Sequence, residues 1–132
     1  MIFIDSDAYL ALNLKEDSNQ VKALRVAKML ELSHESTVTS WEVVDEVTTK
    51  LSYYYSRDMA RAFIANLQSS DTIIQYMVET LAADVFTFFL KQTSKKVSLT
   101  DCTNMVIARN LGIKTFFSFD HHYEQNGFRL LK

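Results

Sequence analysis

Short apolar runs alternate along the chain with longer segments in which apolar residues recur every three to four positions. The first run, Ile2–Ile4, has no polar alternation, which is typical of a strand buried on both faces of a parallel sheet. Five such runs predict strands, at residues 2–4, 36–39, 72–77, 114–119 and 128–131. The last of these is predicted to lie at the edge of the sheet.

Helical periodicity fills most of the chain between these runs. Six helices are predicted. The first starts near residue 6, the second ends near residue 32, and the other four cover 40–54, 57–68, 79–92 and 100–111. Ser6 and Ser40 are placed to cap the first and third helices, and Gly112 follows the sixth. The polar segment 121–127 is predicted to be a turn. Because strands alternate with helices and no linker or repeat interrupts them, we predict a single α/β domain over residues 1–132.

Glycine and proline are scarce. The chain of 132 residues contains 2 Gly and 0 Pro, where average usage would give roughly nine and seven. This composition favours helices joined by short polar turns. At 48% apolar and 23% charged residues, the chain is otherwise typical of a soluble globular domain with one core.

The net charge of −2 argues against a generic basic coat for nucleic acid. Any binding of phosphate should therefore be local or bridged by a cation. The single cysteine, Cys102, excludes an intramolecular disulfide and suits a reducing compartment. No segment reaches the roughly 18 apolar residues of a membrane span, and the N-terminus lacks a basic leader. We expect a cytoplasmic protein without membrane contacts.

Acidic residues follow the predicted strands or lie on the helices after them. They are Asp5 with Asp7, the run Glu42, Asp45 and Glu46, then Asp101 and Asp120. Each has a simple structural explanation when taken alone, as a helix-dipole partner, a solvated helix face or a turn residue. Carboxylates that converge at one sheet edge, however, raise one another's pKa unless a cation neutralises them. Mg²⁺ or Mn²⁺ suits such oxygen ligands, and two ions about 4 Å apart can promote phosphodiester hydrolysis.

The histidines give a weaker signal. His121 and His122 are adjacent and lack the spacing of a zinc site. We interpret them as turn residues, or at most as outer groups that support a ligand. His34 has no partner in sequence and is expected on the surface.

Four segments of the chain resemble, in order and spacing, the motifs of PIN-domain proteins, and the nearest group is the VapC-like ribonuclease toxins. The segments are MIFIDSDAYLAL, VTSWEVVDEV, SLTDCTNMVIARNLGI and FFSFDHHYEQNGFRLL. The resemblance implies a three-layer α/β/α sandwich around a central parallel sheet. It also implies metal-dependent endoribonuclease activity with one or two Mg²⁺ or Mn²⁺ ions. Family toxins commonly form homodimers and bind a small antitoxin protein, so both partners are expected here.

The resemblance also implies an acidic quartet of catalytic and metal-binding residues. Its members are Asp5, Glu46, Asp101 and Asp120. Ser6 and Asn104 match positions that support the metal site in the family.

Three residues depart from the family pattern. Asp7 adds an acid, Trp41 replaces a polar residue, and Glu42 competes with Glu46 as the ligand from the third helix. The motif alignment favours Glu46.

Contacts with RNA phosphates are assigned to four basic residues. These are Lys95 and Lys96 before the sixth helix, and Arg57 and Arg61 on the fourth. A solubilising surface would explain them equally well. Tyr53, Tyr54 and Tyr55 could stack on bases or sit at a dimer interface, but packing of the third helix against the fourth is the preferred interpretation.

Two other functions fit parts of the sequence. One is a non-catalytic PIN-like scaffold that binds RNA or protein, against which the complete quartet argues. The other is a haloacid-dehalogenase-type phosphatase, because IFIDSD contains an Asp-x-Asp pair. Tyr9 stands where that family has a small hydroxyl residue, and the chain leaves little room for its later lysine motif.

Overall fold

Five short strands form one all-parallel sheet in the computed structural model, which describes residues 1–132. The strands are β1 (Ile2–Ile4), β2 (Thr37–Ser40), β3 (Ile73–Gln75), β4 (Thr115–Phe117) and β5 (Arg129–Leu131). Their order across the sheet is β3-β2-β1-β4-β5, and every neighbouring pair is parallel. The predicted strands are all confirmed, including the edge position of the last, although β3 and β4 are shorter than predicted.

Seven helices connect the strands. They are α1 (Ser6–Asn13), α2 (Gln20–Ser33), α3 (Trp41–Tyr54), α4 (Arg57–Gln68), α5 (Glu79–Leu90), α6 (Leu99–Asn110) and α7 (His122–Gln125). The first six match the predicted helices to within two residues at most ends. The seventh lies in the segment predicted as a turn, and its single turn of four residues is too short to show helical periodicity. None of the seven combines the length and apolar character needed to cross a bilayer.

The central strands are buried on both faces. Phe3 on β1, Val38 on β2 and Phe116 on β4 are completely inaccessible to solvent. The Phe3 and Phe116 rings lie 4.9 Å apart, and Tyr123 from α7 stacks on Phe116 at 4.1 Å. Helices therefore cover both sides of the sheet, as the uninterrupted apolar run of β1 predicted.

Helix capping agrees with the sequence at α3 and differs at α1. Ser40 caps α3 as predicted, with its Oγ accepting a hydrogen bond from the Val43 amide at 3.2 Å. The cap of α1 is Asp5, not Ser6, because Asp5 keeps the extended backbone of β1 and its carboxylate accepts from the Ser6 amide at 2.7 Å. Ser6 is the first residue inside the helix.

The topology gathers three strand ends at one edge of the sheet. Strands β2, β1 and β4 are adjacent and parallel, so their carboxyl ends lie within about 5 Å of their neighbours. The α1 and α3 helices and the loop after β4 all begin at this edge. In open α/β sheets this is where ligands bind.

Candidate active site

Asp5 is the buried centre of the site. It lies at the carboxyl end of β1 and is 5% exposed. Its Oδ1 accepts hydrogen bonds from the Ser6 amide at 2.7 Å and from Asn104 Nδ2 at 3.1 Å. Its Oδ2 accepts from the Tyr123 hydroxyl at 2.8 Å. The neighbouring Ser6 and two residues distant in sequence, on α6 and α7, therefore hold this carboxyl group in one orientation.

Burial changes the ionisation of Asp5. The loss of hydration is the largest effect, and together with the nearby charge of Asp7 it raises the pKa of Asp5 from 3.8 to about 8. Hydrogen bonds from Ser6 and Tyr123 act in the opposite direction but do not balance the burial. Without a cation, the Asp5 carboxyl group is therefore largely protonated at neutral pH.

Asp7 ties α1 to the loop after β4. Its Oδ2 accepts hydrogen bonds from the Phe119 amide at 2.7 Å and from the Ser118 hydroxyl at 3.1 Å. Burial raises the pKa of Asp7, and these two hydrogen bonds partly offset the rise. The other oxygen, Oδ1, is buried without a hydrogen-bond partner. The extra acid noted in the sequence thus has a structural contact through one oxygen and a second oxygen that accepts no hydrogen bond.

Asp101 lies in the first turn of α6 and forms a capping box with Ser98. Its Oδ2 accepts from the Ser98 amide at 2.8 Å, and the Ser98 hydroxyl accepts from the Asp101 amide at 3.0 Å. Burial raises the pKa of Asp101, while the hydrogen bonds from Ser98 lower it. The sequence suggested only a helix-dipole partner, and the structure shows a cap, which occupies one of the two carboxylate oxygens.

Three side chains place their ligand atoms together beside this network. One donor atom each from Asp101, Asp120 and His122 lies within 4.8 Å of the others. The turn of α7 brings His122 back to Asp120, whose Oδ1 accepts from the His122 amide at 2.9 Å. His122 Nδ1 is 2.8 Å from the same oxygen and its ring is half-buried. This geometry is compatible with binding of one divalent cation.

His122 is the site residue that sequence analysis underrated. Spacing alone gave no metal signature for the adjacent histidines, and the contact depends on a helix turn that was not predicted. His121 behaves as expected of a turn residue, since it is exposed and its Nδ1 pairs with Glu124 Oε2 at 2.7 Å. A shift of one residue along the turn therefore separates His122, a candidate ligand, from His121, a surface residue.

The four aspartates of this edge influence one another electrostatically. The charges of Asp7 and Asp101 raise the pKa of Asp5, and the charge of Asp120 raises that of Asp7 and Asp101. Such a set is unfavourable without a counter-charge and suits a hard cation with oxygen ligands. A nitrogen ligand from His122 is better suited to Mn²⁺ than to Mg²⁺. The residues present therefore fit the divalent metal that the resemblance implies.

The two glutamates of α3 lie apart from this cluster. Glu46 Oε1 accepts from Lys50 Nζ at 2.8 Å in an ion pair along the helix. Glu42 Oε2 is buried without a hydrogen-bond partner. Neither joins the three-residue group that could hold a metal, and the choice of a ligand from α3 stays a prediction.

Asn104 and Ser40 complete the buried support of Asp5. The Ser40 hydroxyl donates to Asn104 Oδ1 at 2.7 Å, and Asn104 Nδ2 also contacts the Tyr123 hydroxyl at 3.1 Å. Asn104 is fully buried. It therefore orients Asp5, and its assignment as a residue that supports a metal stays a prediction.

The predicted RNA contacts are all on the surface. Lys95 and Lys96 are exposed in the loop before α6, and Arg57 is exposed at the start of α4. Arg61 is exposed and pairs with Asp58 at 3.0 Å.

The tyrosine run at the end of α3 does not pack against α4. Tyr53, Tyr54 and Tyr55 are 79%, 77% and 50% exposed. The preferred packing interpretation was therefore wrong. The buried residues of α3 end at Leu51, so the last turn of the helix, with Tyr53 and Tyr54, is open to solvent.

The fold is the three-layer α/β/α sandwich of PIN domains, as the motif resemblance implied. The chain is similar to the crystal structure of VapC20 from Mycobacterium tuberculosis, described as a sarcin–ricin loop cleaving toxin. The TM-score is 0.86 at 23% sequence identity, over 97% of this chain and 96% of the other. Comparisons with protein-family models and with curated proteins gave no match. At this identity the likeness establishes the fold, and function has to be argued from the site.

Proposed function

We propose that the protein is a metal-dependent endoribonuclease and the toxin of a toxin–antitoxin pair. The observation that carries the proposal is the cluster of Asp101, Asp120 and His122 beside the buried Asp5. It lies at the carboxyl edge of a sheet whose fold is shared with an RNA-cleaving toxin. The substrate class is RNA, and the bond hydrolysed is a phosphodiester.

A bound Mg²⁺ or Mn²⁺ would supply Lewis acidity and a water of lowered pKa for this hydrolysis. Asp5, Asp101 and Asp120 would hold it through carboxylate oxygens, and His122 through a ring nitrogen. Asp5 would release its proton when the cation binds, because the positive charge removes the penalty that burial places on its ionised form.

The remaining residues keep the ligands in place. Asn104 and Tyr123 orient Asp5 by hydrogen bonds, and Ser6 contributes its backbone amide. Asp7 holds the loop that carries Asp120 through its contact with the Phe119 amide.

We propose Glu46 as the ligand from α3, which requires it to leave its ion pair with Lys50. Such an exposed pair contributes little stability and is easily exchanged. Glu42 is the competing ligand, and its unpartnered buried oxygen supports that choice.

The substrate and protein partners follow from the same proposal. Lys95, Lys96, Arg57 and Arg61 would contact RNA phosphates, and a small antitoxin would cover the site. A homodimer and a cytoplasmic location are part of the proposal as well.

The test is cleavage of fluorophore–quencher RNAs in Mg²⁺, Mn²⁺ or EDTA, with Asp101→Asn as the variant. Asparagine keeps an oxygen to accept from the Ser98 amide, so the α6 cap survives while the charge is lost. We expect activity to fall by more than the roughly 10–100-fold typical of residues that only support a ligand. Asp84→Asn, at an exposed position on α5, is the matched control and should cleave like the wild type.

Equal cleavage by the wild type and Asp101→Asn would indicate a contaminating nuclease and refute the assignment. Metal binding without cleavage of any RNA would favour the non-catalytic scaffold. The same assay on Glu42→Gln and Glu46→Gln identifies the ligand from α3, since only the loss of the true ligand should raise the concentration of Mg²⁺ or Mn²⁺ needed for cleavage.

A further inference from the structure

Two exposed aromatic rings lie against each other near the acidic site. Trp41 is 51% exposed and Tyr76 is 59% exposed. Their ring centroids are 5.7 Å apart and their planes are tilted by 31°. The pair is held by its position in the fold, because Trp41 opens α3 and Tyr76 directly follows β3.

The sheet places this pair beside Asp5. Ser40 on β2 is in register with Gln75 on β3, so Trp41 and Tyr76 follow paired residues at the carboxyl edge. Strand β2 also adjoins β1, which ends at Asp5. With neighbouring strands about 5 Å apart, the backbones of Trp41 and Tyr76 lie roughly 5 and 10 Å from that of Asp5 along the edge.

A hydrogen-bond path connects the two features. The Ser40 hydroxyl, one residue before Trp41, donates to Asn104 at 2.7 Å, and Asn104 donates to Asp5 at 3.1 Å. The start of α3 is therefore fixed relative to the acidic site. The tryptophan occupies the position at which the sequence departs from the VapC-like pattern.

We propose that Trp41 and Tyr76 form a stacking site for an unpaired RNA base adjacent to the phosphodiester that is cleaved. This inference rests on the proposed ribonuclease function and names the form of RNA the site accepts. Every base has a flat π face, so such a site selects unstacked nucleotides, not a sequence. Single strands and loops are therefore bound, and continuous duplexes are not.

Charge explains why stacking is needed. The chain carries a net charge of −2, and the site itself is lined by carboxylates. These repel RNA phosphates, and long-range attraction by a basic surface is weak. Stacking on neutral rings is insensitive to this negative charge. It provides binding energy close to the site, which the four basic residues assigned to RNA contacts do not.

A second copy of the chain is the competing occupant, because exposed aromatic residues also occur at protein interfaces. The location at the strand ends that carry the acidic site favours RNA. If RNA is the occupant, Trp41 emission should depend on RNA concentration. If a second copy is the occupant, it should depend on protein concentration.

The protein offers a direct probe, since Trp41 is its only tryptophan. In EDTA, which prevents cleavage, a single-stranded hexanucleotide RNA should quench and shift Trp41 emission. A blunt duplex of the same sequence should not. Tyr76→Ala should weaken the hexanucleotide affinity about 5- to 150-fold, the range found when one stacking aromatic is removed.

Steady-state cleavage supplies the second readout. Trp41→Ala should raise KM for single-stranded RNA by the same factor and leave kcat nearly unchanged, because the ring binds the substrate without touching the reacting atoms. Trp41→Phe should restore most of the affinity. The matched control is Phe86→Ala, on α5 and 58% exposed, which should behave like the wild type.

Two results overturn the inference. One is that Trp41→Ala and Tyr76→Ala cleave RNA with unchanged KM and that RNA does not change Trp41 emission in the wild type. The nuclease function would then stand without this stacking site. The other is emission that follows protein concentration, with Trp41→Ala changing the sedimentation coefficient, which would identify an interface between copies. If the wild type cleaves no RNA, the proposed function fails, and the fluorescence titration alone decides whether the rings bind a base.

Discussion

Replacement of Asp5 by asparagine should stabilise the metal-free protein while abolishing its function. The side chain is almost completely buried and receives hydrogen bonds on both oxygens. Asparagine has the same shape and carries no ionisable group. Its amide can donate to the Tyr123 hydroxyl, which then reverses its role from donor to acceptor.

The magnitude follows from the pKa of Asp5, which is about 8 in the folded protein against an ordinary value of 3.8. Because the folded state binds this proton more tightly, unfolding releases it between these two pH values. Stability is therefore greatest below pH 3.8 with respect to this group, and falls as pH rises towards 8. At pH 7 the loss is about 4 kcal/mol, at 1.36 kcal/mol for each pH unit above 3.8. The weaker hydrogen bonds of the amide should cost about 1–2 kcal/mol of this difference. Asp5→Asn should therefore raise the free energy of unfolding at pH 7 by about 2–3 kcal/mol.

The assay is urea denaturation in EDTA at several pH values from 5 to 8. The wild type should lose stability across this range, and Asp5→Asn should show a much flatter profile. Excess Mn²⁺ should reverse the order at pH 7, since a ligand at 1,000 times its Kd stabilises the binding-competent protein by about 4.1 kcal/mol, more than the variant gains. Asp84→Asn controls for the chemical change at an exposed site. A wild-type stability that does not vary with pH, or a variant less stable than the wild type at pH 8, would refute the desolvation argument.

Two further predictions concern single side chains. Tyr123→Phe removes the hydroxyl that donates to Asp5 and contacts Asn104, so urea denaturation should show a loss of about 1–2 kcal/mol. The pH at which the profile levels off should also move upward, because this hydrogen bond lowers the pKa of Asp5; an unmoved profile would contradict the contact. His34 ends α2 with φ 52° and ψ 31°, a left-handed conformation that glycine adopts without strain. His34→Gly should raise the thermal midpoint by about 2–6 °C, equivalent to roughly 0.5–1 kcal/mol, whereas a lower midpoint would show that the histidine side chain stabilises this turn.

The sequence was sufficient to predict the sheet and the long helices because their patterns are local. The apolar run of β1 and the periodicity of α4 each report burial directly. The carboxyl edge could also be predicted, since parallel strands must end there together. Asp5 and Asp101 were proposed as site residues by combining this rule with the family resemblance.

The parts that escaped prediction depend on contacts between distant segments. The Tyr123 hydroxyl reaches Asp5 across 118 positions of sequence, and no periodicity signals such a bond. His122 enters the candidate metal group only because four residues form a turn of helix. The cap of α1 was misassigned by one residue because Asp5 and Ser6 are both good capping residues.

The capping box of α6 makes one residue responsible for two properties of the molecule. Asp101 closes the first turn of a helix that supplies much of the core, and in the proposed function it also binds the metal, as one of three side chains that could hold an ion. A descendant that lost this carboxylate would lose activity and loosen its own scaffold at the same time. Only asparagine would separate these losses, since it keeps the capping oxygen. An inactive lineage of this fold should therefore pass through asparagine at residue 101 more readily than through alanine.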